Sequence, residues 1–255
     1  MSFDHFQSER FIVASYESDF HGRLSVFSLF NRFQELAGVH AENLGVGFDA
    51  LQANRTTWML SRIRVEITKM PQWKDTVELT TWAKGIDRLF AMRDFCLRSS
   101  DGEALVQATS AWLLVDLDKN RPKRIETLPV DLQYEGAPAA IAETPEKISI
   151  QEPQMEVAER VVRLSDIDTN HHMNNAHYAR WVWDCIPGDE YSRCGIQSIQ
   201  INFLDGSMAG ERIGIMQHKP EDEQGVYFIA GKNKATGNVK FQARLKLGGE
   251  EGLPD

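Results

Sequence analysis

The sequence predicts an α+β protein made of two copies of one plan, each an antiparallel strand meander wrapped around a helix. Three observations carry this. Residues 26–44 hold a long run of helical apolar spacing, followed by four strand-like runs. The same order of strand, helix and strands returns after residue 158. Between the copies, residues 119–158 contain Pro122, Pro129, Pro138, Pro145 and Pro153 and the small-residue run Gly136-Ala137-Pro138-Ala139-Ala140, which reads as a linker crossing the surface. The expected division is 1–125, a linker at 126–158, and 159–255.

In the first copy, residues 11–16 alternate enough for an opening strand. Val26, Phe27, Leu29, Phe30, Phe33, Leu36, Ala37 and Val39 then give a broad apolar stripe on one helix, ended by Gly45 and Gly47. Strands are expected at 57–68, 76–84, 91–99 and 105–116. Turn signals at Met70-Pro71, Lys84-Gly85 and Asp101-Gly102 separate them, the last a strong hairpin signal. The second copy has a strand at 161–165, a helix at 174–185, and strands at 198–204, 212–218, 225–233 and 239–247. Ungapped comparison of matching runs offsets the copies by roughly 135–147 residues. Ser18-Asp19 falls on Ser165-Asp166, which sets His21, Arg23 and Ser25 against Asp168, Asn170 and His172. One copy therefore carries a polar set that the other lacks.

Composition narrows the function. At 255 residues, 42% hydrophobic and 25% charged, the chain is an ordinary globular one. No apolar run reaches a membrane span, and the first ten residues resemble no secretory or transit peptide, so cytoplasm is the expectation. Cys96, Cys185 and Cys194 are too few for a disulfide framework. The net charge of −9 disfavours nucleic acid and anionic membrane. Against it stands one basic cluster, Lys119, Arg121, Lys123 and Arg124, which reads either as a docking patch for an acidic partner or as a solvated turn around Asp118-Lys119-Asn120.

Chemistry concentrates in L-S-D-I-D-T-N-H-H-M-N-N-A-H-Y-A-R-W-V-W, residues 164–183. Asp166, Asp168, Asn170 and His172 share a two-residue period, which would place them on one face of an extended segment. Asn174 and Asn175 stand where a helix N-cap belongs. A helix start offers N–H groups and partial positive charge to a developing oxyanion, and a carboxylate, an amide and an imidazole beside it suit hydrolytic acyl chemistry. A calcium loop fits poorly, since His171 replaces the required Gly and His177 the bidentate Glu. His171, His172 and His177 as metal ligands lack a recognised spacing. A plain polar turn with a capping Asn remains open.

S-D-I-D-T-N-H-H-M-N-N-A-H-Y-A-R-W resembles the signature of acyl-acyl-carrier-protein thioesterases, S-D-x-D-x-N-x-H-x-N-N-x-x-Y-x-x-W, at every fixed position. The likeness extends to Tyr16-Glu17, Gln34-Glu35-Leu36-Ala37 with His40, Pro71-Gln72-Trp73-Lys74-Asp75, Thr81-Trp82, Arg93-Asp94-Phe95 and Ala108-Thr109-Ser110-Ala111-Trp112. The resemblance implies two tandem hot-dog domains, the first holding the acyl chain and the second catalytic. It implies release of fatty acids from acyl carrier protein as partner, no cofactor and no metal, and it leaves room for a homodimer. His172 is then the base that activates water, Asn170 orients that water or donates to the oxyanion, Asp168 supports the arrangement, and Asn174 and Asn175 contribute the helix end or merely cap it. His171 and His177 are expected at the surface or behind the site.

The pattern breaks at one place. The family uses a Glu, followed in plant members by a Cys, on the strand after the helix; here Gly206 and Ser207 take those positions. Asp205 is the candidate substitute acid, although neighbouring strand residues face opposite ways unless a bulge intervenes. Ser207 as a nucleophile fails because the elbow needs Gly where Asp205 stands. Phe30, Phe33, Val39, Trp58, Met59, Leu60, Phe90 and Met92 are core or acyl-pocket lining. An acyl-CoA thioesterase, and an acyl-binding protein with weakened catalysis, are the competing functions.

Overall fold

The computed structural model describes residues 5–128, 132, 138–150 and 154–248, and the chain divides into Met1–Pro145 and Glu146–Asp255. The first unit runs β1 (Phe6–Ile12), a 3-10 turn at Ser15–Glu17, α1 (Val26–Asn43), α2 (Phe48–Ala53), β2 (Thr56–Ile67), β3 (Thr76–Asp87), β4 (Phe90–Ser99), β5 (Ala104–Asp116) and β6 (Arg121–Lys123). Its antiparallel strands lie in the order β1-β3-β4-β5-β2, with β6 paired to β5. The second unit runs β7 (Met155–Val161), a 3-10 turn at Leu164–Asp166, α3 (Asn175–Trp183), α4 (Gly188–Cys194), β8 (Ile196–Phe203), β9 (Arg212–His218), β10 (Val226–Asn233) and β11 (Val239–Leu247). Its order is β7-β9-β10-β11-β8, again antiparallel. Counted from its own first strand, each sheet reads first-third-fourth-fifth-second, so the duplication is a duplication of topology.

In the first unit the stripe of α1 buries Leu29, Phe30, Phe33 and Leu36, and Val77 and Leu79 of β3, Phe95 and Leu97 of β4, and Val106 of β5 are buried as well. Phe33 stacks on Phe95 at 4.6 Å. Leu60 and Met92 are buried too, whereas Val39 and Met59 are exposed and belong to no core. α1 starts at the Ser25 N-cap, whose hydroxyl accepts from Ser28 N, and stops at Gly45 with φ +73°, a conformation glycine adopts without strain. In the second unit Ala176, Tyr178, Ala179 and Val182 of α3 are buried with Ile199, Ile201, Phe241, Ala243 and Leu245. Tyr178 meets Phe203 and Phe241 edge-on at 5.6 and 5.3 Å. Each unit is a helix against an antiparallel sheet, the hot-dog arrangement.

Several expectations need correction. The opening strands lie earlier than 11–16 and 161–165. The residues following each strand form 3-10 turns instead, because Glu17 accepts from Ala14 N at 3.1 Å and Asp166 accepts from Arg163 N at 2.8 Å, closing each turn locally. α3 stops at Trp183, two residues short, because Pro187 cannot continue a helix. α2 and α4 were not foreseen: each buries a single residue, Leu51 or Tyr191, and shows no apolar stripe. The basic run Arg121–Lys123 is a strand rather than only a turn. Of the expected linker, residues 129–131, 133–137 and 151–153 lie outside the described residues. Nearby, Pro138 O accepts from Trp82 Nε1, Ala140 O accepts from Gln107 Nε2 and Ala140 N donates to Asp94 Oδ2, which ties that stretch to the first unit's sheet.

Candidate active site

The signature loop is a compact turn, not the extended segment its two-residue period suggested. Asp168 N donates to His172 O at 2.9 Å and His171 N to Asp168 O at 3.0 Å, and His171 takes φ +62°. Asp168 Oδ1 accepts from Asn170 N at 2.8 Å, so this carboxylate braces the turn from inside. Asn170 and His172 are exposed on it. His172 Nδ1 lies 2.9 Å from Asn170 O. A carbonyl only accepts, so Nδ1 is the donor here, and the tautomer this bond selects for the neutral ring has its lone pair on Nε2.

Behind the turn the chain starts α3. Asn174 N donates to Asp166 O, and Asn174 Oδ1 accepts from Ala176 N at 2.8 Å, which makes Asn174 the N-cap; Asn175 is the first helical residue. Asp166 is buried, with His177 Nδ1 at 3.4 Å and Arg180 at 3.6 Å from its Oδ1. His177 is buried, whereas His171 is exposed. Burial first, and the charge of Arg180 second, hold its imidazole below the ordinary value, against the opposing pull of Asp166.

The second wall of the site is the segment after β8. Leu204 N and Asp205 N both donate to Lys240 O, at 2.9 and 3.1 Å, so two residues oppose one as in a bulge. Lys240 is only 5% exposed, and its Nζ donates to Gly206 O at 2.7 Å and Asp205 Oδ2 at 2.8 Å, with Glu211 at 3.1 Å. Burial pulls this ammonium down, but the hydrogen bonds and charges of Asp205 and Glu211 raise it further, so it stays charged. The Asp205 carboxylate thus sits on Lys240. Gly206 lies against the imidazole: a Cβ there would stand 2.5 Å from His172 Cδ2 and 3.2 Å from Nε2. Ser207 is buried, its O accepting from Met173 N and its N donating to the Tyr178 hydroxyl oxygen. Burial pushes the Tyr178 phenol up to about 12.

The first unit contains the same turn. Asp19 N donates to Arg23 O, Gly22 N to Asp19 O and His21 N to Asp19 Oδ1, and Gly22 takes φ +74°. Ser25 N donates to Glu17 O just as Asn174 N donates to Asp166 O. The bonding sets Asp19 on Asp168, His21 on Asn170, Arg23 on His172 and Ser25 on Asn174, two residues from the alignment of Ser18-Asp19 with Ser165-Asp166. The first copy keeps the bracing Asp and lacks the Asn and the His. Arg23, in the place of His172, is buried and paired with Asp19 at 3.2 Å.

Elsewhere, Lys119, Arg121 and Arg124 are exposed and Lys123 half-buried, around the hairpin that joins β5 to β6. None of the four pairs with a carboxylate within 4 Å among the described residues, although many other surface cations do, such as Arg55, Lys219 and Lys234. Among the described residues no group of three His, Cys, Asp or Glu side chains converges for a metal ion, and no helix is long and apolar enough to cross a membrane. Lys240 and Tyr178 went unnoticed in the sequence as site-building groups; Lys240 falls in the regular polar alternation of β11 with Gln242, Arg244 and Lys246, so nothing in the pattern singles it out.

Residues 4–130 match the family described as acyl-ACP thioesterase N-terminal domain, and residues 150–248 the acyl-ACP thioesterase C-terminal domain. Among curated proteins, the chain is 26% identical to oleoyl-acyl carrier protein thioesterase 2 of Arabidopsis thaliana, covering 91% of this chain and 68% of that protein. It is 28% identical to thioesterase 1 of the same plant, covering 76% and 59%. Among solved structures, an acyl-ACP thioesterase from Bacteroides thetaiotaomicron superposes with TM-score 0.86 at 26% identity, covering 95% of this chain and 98% of that one. The 12:0-ACP thioesterase from Umbellularia californica shares the fold, with TM-score 0.82 at 22% identity over 96% and 95% of the two chains.

Proposed function

The chain belongs to the acyl-ACP thioesterase family, and from that membership we propose that it hydrolyses the thioester of acyl-acyl carrier protein, releasing free fatty acid and ending chain elongation. The observation that carries this reading is His172, two residues ahead of the N-cap of α3, whose Nδ1–H is held by Asn170 O while Nε2 has no hydrogen-bond partner among the described residues. Nε2 takes a proton from water as the oxygen attacks the thioester carbonyl. The tetrahedral intermediate bears its negative charge on the former carbonyl oxygen, near the Asn170 carboxamide and the helix start at Asn174 and Asn175. Collapse expels the carrier's thiolate, which takes the proton back from Nε2. Asp168 keeps Asn170 and His172 in one turn. Asp205 contributes through Lys240 and the wall behind His172.

In the same proposal the first unit holds the acyl chain, its equivalent turn being occupied by the Asp19–Arg23 pair. Lys119, Arg121, Lys123 and Arg124 receive the acidic carrier protein, supported by their lack of carboxylate partners within 4 Å among the described residues. Action in the cytoplasm and assembly as a homodimer are parts of this reading that fractionation and sedimentation would test. Turnover by purified protein of matched acyl chains on carrier protein and on CoA, followed as released thiol, tests the whole. Carrier-bound substrate is expected to win in kcat/KM; preference for CoA would replace the carrier reading. Tight acyl binding without turnover would favour the weakened-catalysis alternative, which the Gly206 substitution motivates.

A further inference from the structure

Lys240 handles no proton in the reaction just described, yet it is a buried charge near His172 with three partners. It projects from β11, and all three of its ammonium donors are used, on the Asp205 carboxylate, the Gly206 carbonyl and the Glu211 carboxylate. Its own carbonyl also receives Leu204 N and Asp205 N. One residue therefore clamps the segment 204–206 from both its backbone and its side chain. That segment has no regular strand pairing, since β8 ends at Phe203. A buried ammonium is costly unless its partners are well placed, and here two of the three, Asp205 and Gly206, lie on the stretch of chain that meets the imidazole.

We propose that Lys240 is a positioning residue that fixes the wall at Gly206 against which the His172 imidazole rests. The ring has two constraints. Asn170 O holds Nδ1 from one side, and the Gly206 backbone stands so near the other that a Cβ would overlap Cδ2. Asn170 O alone leaves the exposed ring able to rotate about that hydrogen bond; the wall removes this freedom and aims Nε2. Where the family carries an acid at the position of Gly206, this chain holds a bare backbone, and the ammonium beneath it supplies the rigidity. Asp205 and Glu211 serve as the anchors of that ammonium. The inference rests on the thioesterase reading for its kinetic test but not for its spectroscopic one.

The test uses Lys240→Met, and beside it Lys240→Met/Asp205→Asn/Glu211→Gln, which removes the amine without leaving two facing carboxylates and so protects the fold. In the folded triple variant, kcat is expected to fall about tenfold or more, because small misplacements of a reacting group are expensive, while KM stays close to that of the parent protein. Nitrogen-15 NMR of the His172 ring is expected to show loss of the fixed Nδ1–H form. A folded triple variant with parental kcat, or with parental His172 ring signals, overturns the proposal. So does a kcat loss that merely tracks the unfolded fraction. If the parent protein turned over no thioester, the functional reading would fail, and the ring signals alone would still decide the role of Lys240.

Discussion

Replacing Gly206 by alanine adds one carbon at the most crowded point of the site. Built on the existing backbone, that carbon lies 2.5 Å from His172 Cδ2, 3.2 Å from Nε2 and 3.3 Å from Cγ. Carbon atoms are comfortable at about 3.5 Å or more, so the ring must retreat by about 1 Å. The backbone itself gives no resistance, since Gly206 is not among the residues with positive φ. A displacement of about 1 Å in a reacting group costs about a hundredfold in rate, equivalent to about 2.7 kcal/mol in the barrier. His172 is exposed and can swing toward water, so stability should change by no more than about 0.5 kcal/mol. Steady-state kinetics on a carrier-bound acyl chain, beside thermal melting, would measure both. Gly188→Ala is the control, because a Cβ there meets nothing within 4 Å. Gly206→Glu should be no better than Gly206→Ala, for its carboxylate arrives only by evicting the imidazole. A Gly206→Ala enzyme with undiminished kcat, or a Gly206→Glu enzyme that gains, would refute the reasoning.

His172→Ala and Asn170→Ala should each fold normally and lose at least about a hundredfold in kcat; near-parental turnover in either would remove that residue from the mechanism. His177 is held below its ordinary 6.5 in the folded protein, so the unfolded chain takes up its proton first. Stability should therefore decline as pH drops below about 6.5 and level off below the folded value, and urea midpoints at about pH 7.5 and about pH 5 should lie closer together in His177→Gln. Equal pH dependence in the two proteins would show that His177 contributes nothing. Charge reversal at Lys123 and Arg124 should raise KM for carrier-bound substrate by about tenfold at low salt and barely affect an acyl-CoA, with the difference fading as salt screens it. Equal losses on both substrates would argue against carrier docking.

The duplicated plan was legible because α1 and the inner strands announce themselves by burial: Leu29, Phe30 and Phe33 recur at helical spacing, and the inner strands are rich in apolar residues. β1 and β7 hid because edge strands bury little; F-Q-S-E-R-F-I places a single buried residue, Phe11, in seven. The signature residues could be found in order but not in shape. A period of two predicts one face of a strand only if the backbone is extended, and Asp168 bends it by accepting from Asn170 N. The alignment of the copies slipped by two for a related reason: Ser18-Asp19 and Ser165-Asp166 match as letters, whereas backbone bonding pairs Asp19 with Asp168. The buried contact of Lys240 with Gly206 O joins residues far apart in the chain, and no local pattern records it.

The two matching turns also say something about descent. After a duplication the copies are identical, and side chains then diverge at whatever positions folding does not guard. Residues 19–23 and 168–172 kept one backbone pattern while Asn and His in one copy stand opposite His and Arg in the other. The guard is mechanical. Each turn delivers the capping residue of its helix, Ser25 or Asn174, and losing such a cap costs about 1 kcal/mol. Selection for starting a helix thus preserves the frame in both copies, whether or not chemistry is performed on it. Catalysis can be written onto such a frame, or erased from it, by a couple of substitutions that leave the fold indifferent.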